Sequence, residues 1–146
     1  MLAVLCLGCL VLSSCNGVIG ADKITATSPL SDFTIENGVL TKYNNIDGVI
    51  AIIPDNVTEI GEAAFEATDE ISFNNLTSVI IPEGCKIIGS VAFDGCSNLE
   101  SITIPDSVTH IEDNAFAYDD KVTIYGTKGG YTEKYADVRG IAFKAQ

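Results

Sequence analysis

Three segments of this chain carry one pattern, and a repeat of that length leaves few folds open. IIPDNVTEIGEAAF runs from Ile52 to Phe65, IIPEGCKIIGSVAF from Ile80 to Phe93, and TIPDSVTHIEDNAF from Thr103 to Phe116. Aligned on Pro54, Pro82 and Pro105, they put Val57, Cys85 and Val108 in one column and Ile60, Ile88 and Ile111 in the next. The pairs Ala64-Phe65, Ala92-Phe93 and Ala115-Phe116 close each copy. The prolines stand 28 and then 23 residues apart, and the extra five residues fall after Phe65, within EATDEISFNNLTS, as a loop insertion would. A period in the twenties predicts a solenoid, because one such unit cannot bury its apolar face until neighbours stack on it.

Each copy makes sense as one coil. Ser101-Ile102-Thr103-Ile104 alternates polar and apolar residues, the pattern of a half-buried strand. Pro105 then ends the strand, since it has no N–H to give to a ladder. Asp106-Ser107 turns the chain, Val108 and Ile111 point inward again, and Ala115-Phe116 closes the coil with a small residue that admits a large ring. Stacked coils form a parallel sheet with strands about 4.8 Å apart.

A stack of three coils leaves an apolar face open at each end, so both ends need caps. Phe33 to Leu40 has two alternating arms around Asn37-Gly38, a strong hairpin signal, and forms the expected N-terminal cap over residues 32–50. The coils follow over 51–121. Residues 122–146 make the other cap: a strand at Val122-Thr123-Ile124, a short helix from Tyr131 to Val138, Gly140 as its stop, and a last strand at Ile141-Ala142-Phe143.

The chain opens on an apolar run, MLAVLCLGCLVLSSC, too short to span a bilayer as a helix and better read as a signal peptide over 1–14. Its end, Leu12-Ser13-Ser14-Cys15, resembles the bacterial lipobox, which implies that Cys15 receives a lipid and anchors the protein in the membrane. Residues 15–31 lack periodicity and are expected to serve as anchor and flexible tether. Cys6 and Cys9 form a CxxC inside the leader, where they are filler. Cys85 and Cys96 are expected as buried free thiols, with a disulfide between them as the alternative in an exported protein.

The first 14 residues carry no charged side chain, so the net charge of −12 falls on the rest. A surface that acidic repels nucleic acid, whose recognition needs clustered Lys and Arg. No catalytic or metal constellation emerges either. The single histidine, His110, occupies a column filled elsewhere by Glu59 and Ile87. Asp119-Asp120 lacks the alternating ligands of a calcium loop, and Glu66, Asp69 and Glu70 read as a solvated insertion. Gly126 to Gly130 is glycine-rich without phosphate-loop spacing. The expectation is a protein that is not an enzyme and that uses no cofactor and no metal.

The pattern IPxxVTxIGxxAFxxCxxL, which Pro82 to Leu99 follows closely, resembles the repeat of the BspA-like leucine-rich repeat proteins. The lead-in FTIENGVLTKYNNIDGVIAIIP and the ending VTIYGTKGGYTEKYADVRGIAF are similar to that family's flanking units. Two departures are Glu112 where Gly61 and Gly89 stand in the other copies, and Tyr125 read at the place of the strand-ending proline. The resemblance implies a right-handed leucine-rich-repeat-type coil stack with short parallel strands, a hairpin cap and a helix-and-strand cap. It also implies a bacterial surface or secreted protein whose partner is a protein or glycoprotein, host matrix and serum glycoproteins among them. With Ala51, Ile53, Val79, Ile81, Ile102 and Ile104 pointing in, strand alternation turns Ile52, Ile80, Thr103 and Thr123 outward as the candidate binding face. The alternative is a structural or assembly component of the cell envelope.

Overall fold

The computed structural model describes residues 28–45, 47–66 and 75–146. The leader, Cys15, most of the tether and the insertion over 67–74 lie outside these residues.

The apolar columns of the repeat become columns of buried side chains in a stack of coils. One parallel ladder consists of β3 (Ile50–Ile52), β5 (Ser78–Ile80), β7 (Ser101–Thr103), β9 (Thr123–Gly126) and β10 (Ala142–Ala145). Its inward residues Ala51, Val79, Ile102 and Ile124 are fully buried. Ile53, Ile81 and Ile104 extend the same inward side just before the proline turns. At each turn the residue three after the proline donates its N–H back to the proline carbonyl, as Val57, Cys85 and Val108 do at 3.0, 3.0 and 3.1 Å.

A second ladder was not apparent from the sequence. It pairs β2 (Val39–Tyr43), β4 (Glu59–Ile60), β6 (Ile87–Ile88) and β8 (His110–Ile111) in parallel, with β1 (Phe33–Glu36) antiparallel on its outer edge. Two-residue strands give almost no periodicity to read. Leu40, Ile60, Ile88 and Ile111 form its buried column. Gly61 and Gly89 follow this column because the coils approach closely there: a Cβ on Gly89 would lie 2.9 Å from the Glu62 backbone nitrogen and 3.0 Å from the Ile60 oxygen. In the last coil Glu112 holds that place, and its N–H reaches Ile88 at 3.0 Å against 2.8 Å for Gly61 to Leu40 and for Gly89 to Ile60.

The hairpin is more than a lid. Asn37 and Gly38 take φ of 52° and 84°, the conformation that a tight two-residue turn between twisted strands requires. Strand β2 then takes the part of half a coil. Leu40 pairs with Ile60, and the Tyr43 N–H donates to the Ala64 carbonyl at 2.8 Å, as Phe65 does to Ala92 and Phe93 to Ala115. Tyr43 thereby starts a column of rings. Centroids of Tyr43, Phe65, Phe93 and Phe116 are 4.8, 4.9 and 5.2 Å apart, with Phe33 and Tyr135 tilted at the two ends.

At the far end, α1 (Tyr131–Arg139) stops at Gly140, whose φ of 70° makes the left-handed cap. It also closes the second ladder. The Ile111 N–H donates to the Tyr131 hydroxyl at 3.0 Å, and the Tyr135 hydroxyl donates to the Glu112 carbonyl at 3.1 Å. Otherwise these groups would be an exposed edge open to strand pairing.

At the other ladder's first edge Ser28 does the same work, accepting from the Ile52 N–H at 2.9 Å and donating to the Ile50 carbonyl at 3.4 Å. The tether expected to run free through Ser31 is therefore docked from Ser28 onward, and Leu30–Asp32 forms one 3-10 turn.

Candidate functional site

The outward residues of the long ladder form two rows. Register fixes the first as Ile52, Ile80, Thr103, Tyr125 and Lys144, and the second as Ile50, Ser78, Ser101, Thr123 and Ala142. Three of the four residues expected on the candidate face, Ile52, Ile80 and Thr103, are ladder neighbours. Thr123 is not the next member, because it pairs with Ser101 while Tyr125 pairs with Thr103.

The reason is the proline column. Thr127, not Tyr125, holds the proline's place, and the Gly130 N–H closes its turn on the Thr127 carbonyl at 3.1 Å. With no proline to mark it, counting from Tyr125 sets the last repeat two residues early.

The first row changes character along the stack. Ile80 is 39% exposed, and Leu30, Val49 and Ile50 are exposed nearby in the first coils. Thr103 and Tyr125 are half-buried, with the Gln146 side-chain amide donating to the Thr103 hydroxyl at 3.3 Å. Lys144 lies 5.6 Å from the centre of the Tyr125 ring. In the second row the Ser101 hydroxyl donates to that of Ser78 at 2.9 Å. Apolar, hydroxyl and aromatic groups on a rigid sheet suit recognition of another surface; nothing among them pairs a nucleophile with a base.

His110 and the two described cysteines have local partners. His110 lies 3.0 Å from Glu112, both exposed on the second ladder. Among the described residues no group of three acidic, histidine or cysteine side chains is arranged to hold a metal ion. Cys85 and Cys96 are free and buried, their thiols directed to the carbonyls of Ile87 at 3.5 Å and Phe65 at 3.2 Å. Burial pushes both thiols up, and at Cys96 the carboxylates of Asp119 and Asp94 add to it.

Asp119 follows the last of the three repeat copies, yet it is only 7% exposed. Counted from the ring pair, it occupies the column of Cys96, three residues after Phe116 as Cys96 is after Phe93. That comparison was the available signal. Both carboxylate oxygens are buried without a hydrogen-bond partner, beside a cavity of about 560 Å³ that Lys121, Tyr135 and Arg139 also line. Burial, and then the charges of Asp94 and Asp120, push this carboxyl up to about 7. The Cys96 amide opposes the shift only weakly, since its own hydrogen bond goes to the Phe93 carbonyl at 3.2 Å. Just before it, Tyr118 stands where the other copy has Gly95, and both take positive φ, 62° and 74°.

With the columns, the two ladders and the ring stack in view, comparison with known proteins is decisive. The model of the BspA type leucine rich repeat region matches residues 23–75 and 69–132. The chain belongs to this family. The matched residues include all three proline turns and all three alanine–phenylalanine pairs.

Among solved structures, the leucine rich repeat protein of T. pallidum is similar at 23% identity and a TM-score of 0.59. That match covers 71% of this chain and 55% of the other, so the chain spans just over half the length of that relative. A leucine rich cell surface protein from Faecalibacterium prausnitzii A2-165 matches at 24% identity and a TM-score of 0.39, over 67% of this chain and 37% of that one. No curated protein matches.

Proposed function

We propose that this BspA-type chain is a binding module that contacts a protein or glycoprotein through the outward row Ile52, Ile80, Thr103 and Tyr125. The observation that carries the reading is the exposure of Ile80 on the parallel ladder, diagonal to exposed Ile50 on the neighbouring strand. Apolar side chains held outward together are the usual mark of a partner surface. The expected test is interferometry of the purified chain against a panel of matrix and serum glycoproteins. Wild type gives a signal that Ile80→Lys lowers by at least about tenfold in affinity, as loss of a central apolar contact does. Equal binding by the two proteins would remove the row from the interface.

Cys15 anchors the module to the membrane in this reading, and the segment after it leads to the docking point at Ser28. Support comes from the sequence Leu12-Ser13-Ser14-Cys15. Cells fed a labelled fatty acid are expected to mark the wild-type protein and to leave Cys15→Ala unmarked. Labelling that survives the substitution would contradict the anchor.

A further inference from the structure

The same repeat that lines up the outward row lines up a second feature beside it. Each strand-ending proline is followed by an acidic residue: Asp55 after Pro54, Glu83 after Pro82, Asp106 after Pro105. All three are exposed. With Ile80, Thr103 and Pro105 they line a groove of about 340 Å³ across neighbouring coils. The ion pairs among the described residues are Arg139 with Asp113 and His110 with Glu112, so the three carboxylates face the groove without a cationic partner.

Stacking sets like charges in adjacent coils, where they repel. The chain's net charge of −12 deepens the negative potential along the groove. Lys86 follows Glu83 by three residues, Lys128 directly follows the lining residue Thr127, and Lys144 pairs with Tyr125. The groove's lining is apolar at Ile80, Ile81, Ile104 and the prolines and anionic at Asp55, Glu83 and Asp106.

We infer that this groove takes a cationic segment of a partner protein, its Lys or Arg heads on Asp55, Glu83 and Asp106 and its apolar stems or neighbours on Ile80. The inference rests on the proposed binding face and adds the chemistry of what that face prefers. An Arg fork can bond a carboxylate through two N–H groups while its stem lies along an isoleucine.

The test uses the whole chain and a fluorescein-labelled dodecapeptide of repeating Arg-Ser-Leu, with Glu-Ser-Leu as its counterpart, read by anisotropy at low and at physiological salt. Wild type is expected to bind the Arg peptide, more weakly as salt rises, and not the Glu peptide. Asp55→Asn/Glu83→Gln/Asp106→Asn is expected to weaken binding at least about tenfold. Glu36→Gln/Glu62→Gln/Glu112→Gln, which removes the same charge elsewhere, should leave it within about twofold. Circular dichroism melting keeps both variants comparable as folded proteins.

Equal binding of the two peptides, or an unchanged groove variant, would overturn the inference. So would equal loss in both triple variants, because attraction would then belong to the overall charge. If Ile80→Lys abolishes glycoprotein binding and the groove variant leaves it intact, the binding face stands and the cationic partner falls.

Discussion

Phe93→Ala is expected to lower the stability of the chain by roughly 3–5 kcal/mol, the range for removing a buried aromatic ring. Phe93 is fully buried and is stacked on both sides, 4.9 Å from Phe65 and 5.2 Å from Phe116. The substitution leaves a cavity and interrupts the ring column in the middle, so two coil interfaces weaken together. Such nearest-neighbour coupling is how a solenoid holds itself together. Urea unfolding followed by circular dichroism measures the change. A loss below about 1 kcal/mol would mean that Phe93 is not a core residue of this stack.

The second large effect concerns Asp119 and pH. A carboxyl whose folded pKa is raised from 3.8 to about 7 binds its proton more tightly folded than unfolded. Its stabilising contribution is therefore fully present below pH 3.8 and is lost as pH rises through about 7. Each pKa unit is worth about 1.4 kcal/mol, so the loss at pH 8 is at most about 4 kcal/mol.

Asp94 and Asp120 face this carboxyl and add to the shift. The cations that line its cavity are already engaged, Lys121 with Asn98 and Arg139 with Asp113. Asp119→Asn keeps the shape and removes the ionisation. Relative to wild type, the variant should gain stability as denaturation is moved from pH 4 to pH 8. A constant difference across that range would show that Asp119 titrates as an ordinary surface carboxyl.

How much of this was legible in the sequence depended on how strictly each position repeats. Ala51, Ile53, Val79, Ile81, Ile102 and Ile104 alternate in register with the prolines, and all six are buried in the long ladder as expected. Asn37-Gly38 and Gly140 announce positive φ through residue type alone, so the hairpin and the helix stop were readable. The second ladder was not, because two residues per strand carry no period. The hairpin's role as half a coil was hidden for a related reason: Leu40 and Tyr43 are three apart where Ile60 and Phe65 are five apart, so the columns do not align by counting.

The candidate face was legible up to the coil in which its marker disappears. Thr127 makes the same turn as the prolines but cannot be recognised as their equivalent from residue type, so counting alone puts Tyr125 at the proline's place. The acidic residues after each proline repeat as strictly as the prolines do. Their meaning came only with the groove, since charge at a turn is ordinary until stacking sets three such residues beside an apolar floor.

The fold and the proposed binding face both depend on one claim, that a single register runs from β3 to β10. Interstrand nuclear Overhauser contacts measure it directly. Backbone contacts are expected of Thr103 with Tyr125 and of Ser101 with Thr123, continued by Tyr125 with Lys144. Contacts between Thr103 and Thr123 as direct ladder partners would contradict it, and would put Tyr125 outside the row that the binding reading requires.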